Sequence, residues 1–134
     1  MSRFETSVFL RRMLLADGVI SGATGLLMGL GAETLQELLG VPAALLRYAG
    51  WSLVPFAILV VSLSRQEAPL RAGVIAVIGL NAAWVAASVL LLVFPGWVHP
   101  NGLGYAFILG QAGAVAVLAE MQYVGLRKSA VLAA

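Results

Sequence analysis

The run from Leu14 to Gly31, LLADGVISGATGLLMGLG, is apolar, laced with glycine and interrupted by a single acid, Asp17. About 20 residues of this kind cross a hydrocarbon core of about 30 Å as a helix. Three comparable runs follow, and the spacing predicts four spans at about 13–31, 44–64, 72–94 and 103–124. Backbone groups in lipid must bond within their own segment, so these runs are expected as helices. The expected fold is all-α: one domain, 1–134, built as an integral membrane four-helix bundle. Composition agrees. The chain is 61% hydrophobic and 10% charged, against about 25% charged for a soluble domain. A soluble chain of this length has too much surface per volume to hide that apolar content.

The connectors are short. Met1 to Arg12 mixes Arg3, Glu5, Arg11 and Arg12 with apolar residues and reads as an interfacial lead-in; the run after it is too long for a signal-peptide core, so the first helix is expected to be retained. Residues 32–39 place Leu35, Leu38 and Leu39 on one face and Glu33, Gln36 and Glu37 on the other, which predicts a short interfacial helix stopped by Gly40 and Pro42. Pro55 falls inside the second span, and Pro95-Gly96 ends the third.

The basic residues set an orientation. Arg3, Arg11, Arg12, Arg65, Arg71, Arg127 and Lys128 fall on one side of the predicted bundle and only Arg47 on the other. The positive-inside rule puts both termini and the central turn in the cytoplasm. Arg11, Arg12, Arg47 and Arg65 are the interfacial charges nearest the spans, with Arg47 placed to pair with Glu33 or Glu37. The net charge of +2 does not come from a basic patch interleaved with aromatics, so no nucleic-acid partner is expected.

Chemistry is sparse. The absence of cysteine excludes disulfides, thiolate metal sites and cysteine nucleophiles. One histidine, His99, cannot supply paired haem ligands or a histidine metal cluster. No catalytic, cofactor or metal residue is assigned, and no cofactor is expected. The candidate polar site inside the spans is Asp17, Asn81, Gln111 and Glu120. Asp17 is expected near the cytoplasmic boundary, paired with one of Arg11, Arg12, Arg65 or Arg71. Asp17 shares a helical face with Ser21 and Thr24, and Asn81 with Trp84 and Ser88; the two faces are placed to form one polar seam. Gln111 and Glu120 are half a revolution out of phase, so one of them should face away from the interior.

Small residues mark close approach. Gly18, Gly22, Gly25 and Gly29 form a stripe on the first helix, Gly79 and Ala83 on the third, and Gly110 and Ala114 on the fourth. The halves also echo one another: aligning Asp17 with Asn81 brings Thr24 onto Ser88 and Gly31 onto Pro95, the signature of a parallel tandem repeat of two helical hairpins.

The runs LLRYAGWSLVPFAILVVSLSR, NAAWVAASVLLL and GLGYAFILGQAGAVAVLAE resemble a group of small four-helix bacterial inner-membrane proteins of unknown function. The resemblance implies a bacterial inner membrane and four helices, and carries no activity. More faintly, the chain resembles small accessory subunits of energy-converting complexes. The leading functional expectation is an accessory subunit or scaffold that docks by small-residue helix faces, in lipid, as a homo-oligomer or in a larger membrane complex. The alternative is an oligomeric small transporter or channel using Asp17, Asn81, Gln111 and Glu120. An enzyme using Asp17 and Glu120 as acid and base is the least supported.

Overall fold

The computed structural model describes residues 4–5, 7–66, 69, 71–94, 96–128 and 130–131. Among these residues there are five helices: α1 (Val8–Leu30), α2 (Ala32–Leu39), α3 (Ala43–Arg65), α4 (Arg71–Val93) and α5 (Gly102–Lys128). Four of them, α1, α3, α4 and α5, are long and apolar enough to cross a membrane. A two-residue antiparallel pairing, Phe4–Glu5 with Ala130–Val131, joins the segments flanking α1 and α5. The two ends of the bundle are called here the basic end, where α1 begins and α5 finishes, and the loop end, which carries α2 and His99.

The helices begin and stop for local reasons. α1 starts at Val8, earlier than the apolar run alone predicts. Ser7 is extended and its hydroxyl accepts a hydrogen bond from the Leu10 N–H at 3.0 Å, a cap worth about 1 kcal/mol. The basic lead-in, with Arg11 and Arg12, is therefore part of α1. Counted from the start of the helix, Asp17 lies nine residues into α1, about 13 Å along its axis. α2 matches the expected 32–39 and stops at Gly40, whose φ of 72° is a left-handed conformation that glycine adopts without strain. The Gln36 side chain then accepts the Ala43 N–H at 2.7 Å and opens α3. α3 runs unbroken through Pro55, and α5 continues past the expected end near Val124 to Lys128.

Asn101 ties the loop end together. Its side-chain amide donates to the Leu38 carbonyl at 2.8 Å, its backbone N–H donates to the Leu39 carbonyl at 3.0 Å, and its side-chain oxygen caps α5 by accepting the Gly104 N–H at 2.9 Å. This loop thus fastens α2 to the start of α5.

Packing is unequal. α1 lies antiparallel along α3 over most of its length, α4 pairs with α5, and α1 meets α5 near the basic end, whereas α3 and α4, though consecutive, barely touch. The glycine stripe of α1 explains the first contact. A Cβ on Gly25 would sit 2.7 Å from the Gly50 carbonyl oxygen, and one on Gly50 would sit 2.6 Å from the Gly29 nitrogen. A Cβ on Gly18 would run into Val61, and one on Gly29 into the Trp51 ring. By contrast, Gly79 and Gly110 have nothing within 4 Å of an added Cβ, and Ala83 and Ala114 are exposed. Gly79 and Gly110 are thus not spent on contacts within the bundle, unlike Gly104, which faces the Leu39 carbonyl, and Gly125, which faces Leu10.

Two apolar cores close the ends. At the basic end Leu10, Leu14, Val60, Leu63, Val74 and Val77 bring three helices together, with Leu126 from the fourth. At the loop end Met28, Leu39, Val41, Leu46 and Ile108 pack beneath α2. The middle of the bundle is left to polar residues and open space.

The contrast between used and unused glycines makes a prediction. Gly25→Ala and Gly50→Ala press a methyl onto backbone that cannot move aside, and each should lower stability by about 1–3 kcal/mol. Gly79→Ala and Gly110→Ala should fall within about 0.5 kcal/mol of the parent or raise stability. Denaturant titration of the folded protein in mixed micelles separates the two classes.

Candidate functional site

Asp17 is fully buried, and so is Gln122; Asn81 is 3% exposed and Ser21 6%. They form one cluster. The Asn81 amide donates to Asp17 Oδ2 at 2.7 Å, the Gln122 amide donates to the same oxygen at 2.8 Å, and the Ser21 hydroxyl donates to Asp17 Oδ1 at 3.0 Å. The second hydrogen of the Asn81 amide goes to Gln122 Oε1 at 3.2 Å. Three helices meet here through side chains alone: α1 supplies Asp17 and Ser21, one turn apart, α4 supplies Asn81, and α5 supplies Gln122.

Burying an acid in apolar surroundings costs several kcal/mol unless hydrogen bonds replace its water. Asp17 accepts three, which stand in for the water it gives up on burial. The ion pair expected with Arg11, Arg12, Arg65 or Arg71 is not formed among the described residues. Arg11 instead reaches the Gln66 carbonyl at 3.5 Å. The ion pair seen there is Arg47–Glu33 at 3.3 Å, at the loop end with both side chains exposed, where such pairs contribute about 0–1 kcal/mol.

A second polar group lies toward the loop end. Trp84 Nε1 donates to Gln111 Oε1 at 2.6 Å, and the Gln111 amide donates to Ser88 Oγ at 3.1 Å and to the Ile108 carbonyl at 2.8 Å. The two faces expected to form a seam therefore meet. Asp17 and Asn81 come into direct contact, while Trp84 and Ser88 take Gln111 as partner. Glu120 is on the opposite side of α5, exposed and apart from both groups.

Gln122 was missed by the sequence reading, which looked for charge at the end of the last run. The signal was there. Gln111 and Gln122 are eleven residues apart, three turns and the same face, whereas Glu120 falls off it.

Space lies between the two polar groups. A cavity of about 290 Å³ is lined by all four long helices, with Ser21 and Asn81 on one side, Trp84 and Gln111 on another, and Thr24, Phe56, Leu80 and Val115 among its walls. It is not sealed. α3 and α4 barely touch, and Ser52 and Leu80, which line the cavity from those helices, are exposed. A second cavity of about 320 Å³ lies toward the loop end, walled by residues including Met28, Leu46, Trp97 and Phe107. Trp84 and Gln111 line both, so their hydrogen bond stands between them. A dry apolar cavity of about 150 Å³ is enough to take up benzene, so the first has room for a larger guest than water.

Among the described residues no three His, Cys, Asp or Glu side chains gather as a metal site would require. Asp17 is enclosed by its partners and does not line the cavity.

Neighbouring polar residues of α5 should respond differently to substitution. Gln122→Leu leaves the Asn81 amide and Asp17 each short of a partner and should cost about 1–3 kcal/mol. Glu120→Leu, two residues away and exposed, should fall within about 0.5 kcal/mol. A double-mutant cycle between Asn81 and Gln122 should give a coupling of about 0.5–3 kcal/mol; a coupling near zero would break the cluster as drawn.

Comparison of the chain with protein-family models, with curated proteins and with solved structures finds no match.

Proposed function

We propose that this chain is a four-span protein of the bacterial inner membrane that binds an amphiphile drawn from the lipid phase into its own helix bundle. The observation that carries the reading is the cavity, lined by all four long helices and left open beside the poorly packed α3 and α4. An apolar chamber with a few convergent polar groups is the usual form of a small-molecule site. A lateral opening in a membrane admits molecules already dissolved in lipid. Embedding is supported by the four apolar helices, and the bacterial membrane by the resemblance of residues 45–65, 81–92 and 102–120. The basic end faces the cytoplasm, with both termini, because the arginines collect there. Release of the guest on the other side would make the same site a carrier, and that is the form in which the transport alternative survives. Duplication of one hairpin is supported by Asp17 and Asn81, matched in the alignment of the halves, meeting at the centre.

A specific observation favours a second reading, an accessory subunit. Gly79 and Gly110 present small faces with nothing packed against them, which is what close docking of another membrane helix needs. The two surfaces adjoin: Ala114, on the α5 stripe with Gly110, also lines the cavity.

A lipid-soluble diazirine probe in reconstituted vesicles tests the first reading. Labelling is expected on peptides carrying Phe56, Leu80 and Val115, and Leu80→Trp, which fills the cavity from its exposed wall, should reduce it severalfold. Labels confined to outward residues such as Val19 and Leu26, unchanged in Leu80→Trp, would sink it. The cysteine-free chain also makes topology direct to read. His99→Cys should react with an impermeant maleimide in intact cells, and Lys128→Cys only after permeabilisation. The reverse pattern would invert the orientation.

A further inference from the structure

The polarity of the cavity floor is fixed from behind. Both hydrogens of the Asn81 amide are taken, one by Asp17 Oδ2 at 2.7 Å and one by Gln122 Oε1 at 3.2 Å. Turning the amide over would set the Asn81 oxygen against those two acceptors, with the Gln122 amide already committed to Asp17 at 2.8 Å. The orientation is therefore dictated by chemistry. It leaves the Asn81 carbonyl oxygen with no protein partner. No buried side-chain nitrogen or oxygen among the described residues is unpaired, so this oxygen is open to the cavity that Asn81 lines. Asn81 is 97% enclosed and presents only an acceptor. Thr24 lines the same cavity, half-buried, and its hydroxyl has no hydrogen-bond partner among the described residues.

Resting on the binding reading above, we infer that the guest is an amphiphile whose polar end is a neutral hydroxyl, such as a long-chain or isoprenoid alcohol or a phenol, that donates to Asn81 Oδ1. The alternatives fail on charge or direction. A carboxylate or phosphate would face a carbonyl oxygen with no cation lining the cavity. An ammonium would find no acid, because Asp17 is walled off behind the amide. A ketone, ester or ether has no hydrogen to give. A hydroxyl gives its hydrogen to Asn81 and accepts from Thr24. The cavity is apolar elsewhere, and the tail leaves through the side of the bundle. On this account Asp17 is a positioning residue: it touches no ligand, and it decides which end of an amide the ligand meets.

The test compares three guests of one length. Protein in phosphatidylcholine vesicles is labelled with the diazirine probe, and dodecan-1-ol, dodecyl methyl ether and dodecane are titrated as competitors. Dodecan-1-ol is expected to halve cavity labelling at about one tenth the membrane fraction needed for the ether, a difference of about 1.4 kcal/mol. Asp17→Asn replaces the acceptor behind Asn81 with an amide that offers both donor and acceptor. The alcohol preference should shrink to about twofold or less while the ether competes as before, a change that a merely structural role would not produce. Thr24→Val, which leaves the cluster intact, should lower the preference in part. Equal potency of alcohol and ether in the parent protein overturns the inference and leaves the cavity reading standing; an absence of cavity labelling removes both. The parent comparison needs no variant, so a folding defect in Asp17→Asn leaves it decisive.

Discussion

The hydrogen bonds to Asp17 govern the middle of this molecule. A carboxyl group buried away from solvent, with no cation among its described contacts, must collect donors, and they come from Ser21 on its own helix and from Asn81 and Gln122 on two others. Each of those residues would itself be a liability in an apolar interior. Together they satisfy one another, and the cost of burying any one of them becomes a reason for three helices to keep a single register. Leucines would pack in many ways at this level; three amides and hydroxyls converging on one acid do so in one.

The two ends of the bundle are fixed differently. At the basic end the register is set by Leu10, Leu14, Val60 and Val74 in close contact, with Gly125 letting α5 approach Leu10. At the loop end it is set by Asn101, which gives α2 and α5 a shared set of backbone partners. Between them the α1–α3 pair is tight because its glycines admit backbone contact, and the α3–α4 pair is loose. The cavity is what remains where one neighbouring pair of a four-helix ring declines to close.

Most of the architecture was legible in the sequence, because it rests on features that local residues determine. The number of long helices follows from the apolar runs, α2 from its amphipathic pattern and Gly40, and the polar seam from the shared faces of Asp17, Ser21 and Thr24 and of Asn81, Trp84 and Ser88. What stayed hidden depended on partners far along the chain. Ser7, as a cap, carries α1 back over Arg11 and Arg12, beyond the apolar run. Gln122 was overlooked beside Glu120, because charge attracts attention and helical phase does not. The glycine stripes of α1, α4 and α5 look alike as text, yet only the first meets a partner. No pattern within one helix says whether a complementary surface exists.

Asn81 lies ten residues into α4, about 15 Å along the axis. On the spanning reading proposed above, with α4 crossing a core of about 30 Å from its first residue, that is halfway between the leaflets. A hydroxyl dissolved in lipid stays near the headgroups and crosses the centre only at a cost, since nothing there can accept its proton. The Asn81 oxygen supplies an acceptor at that depth. On the proposed binding reading, an alcohol held there would stand where its unaided passage from one leaflet to the other is slowest.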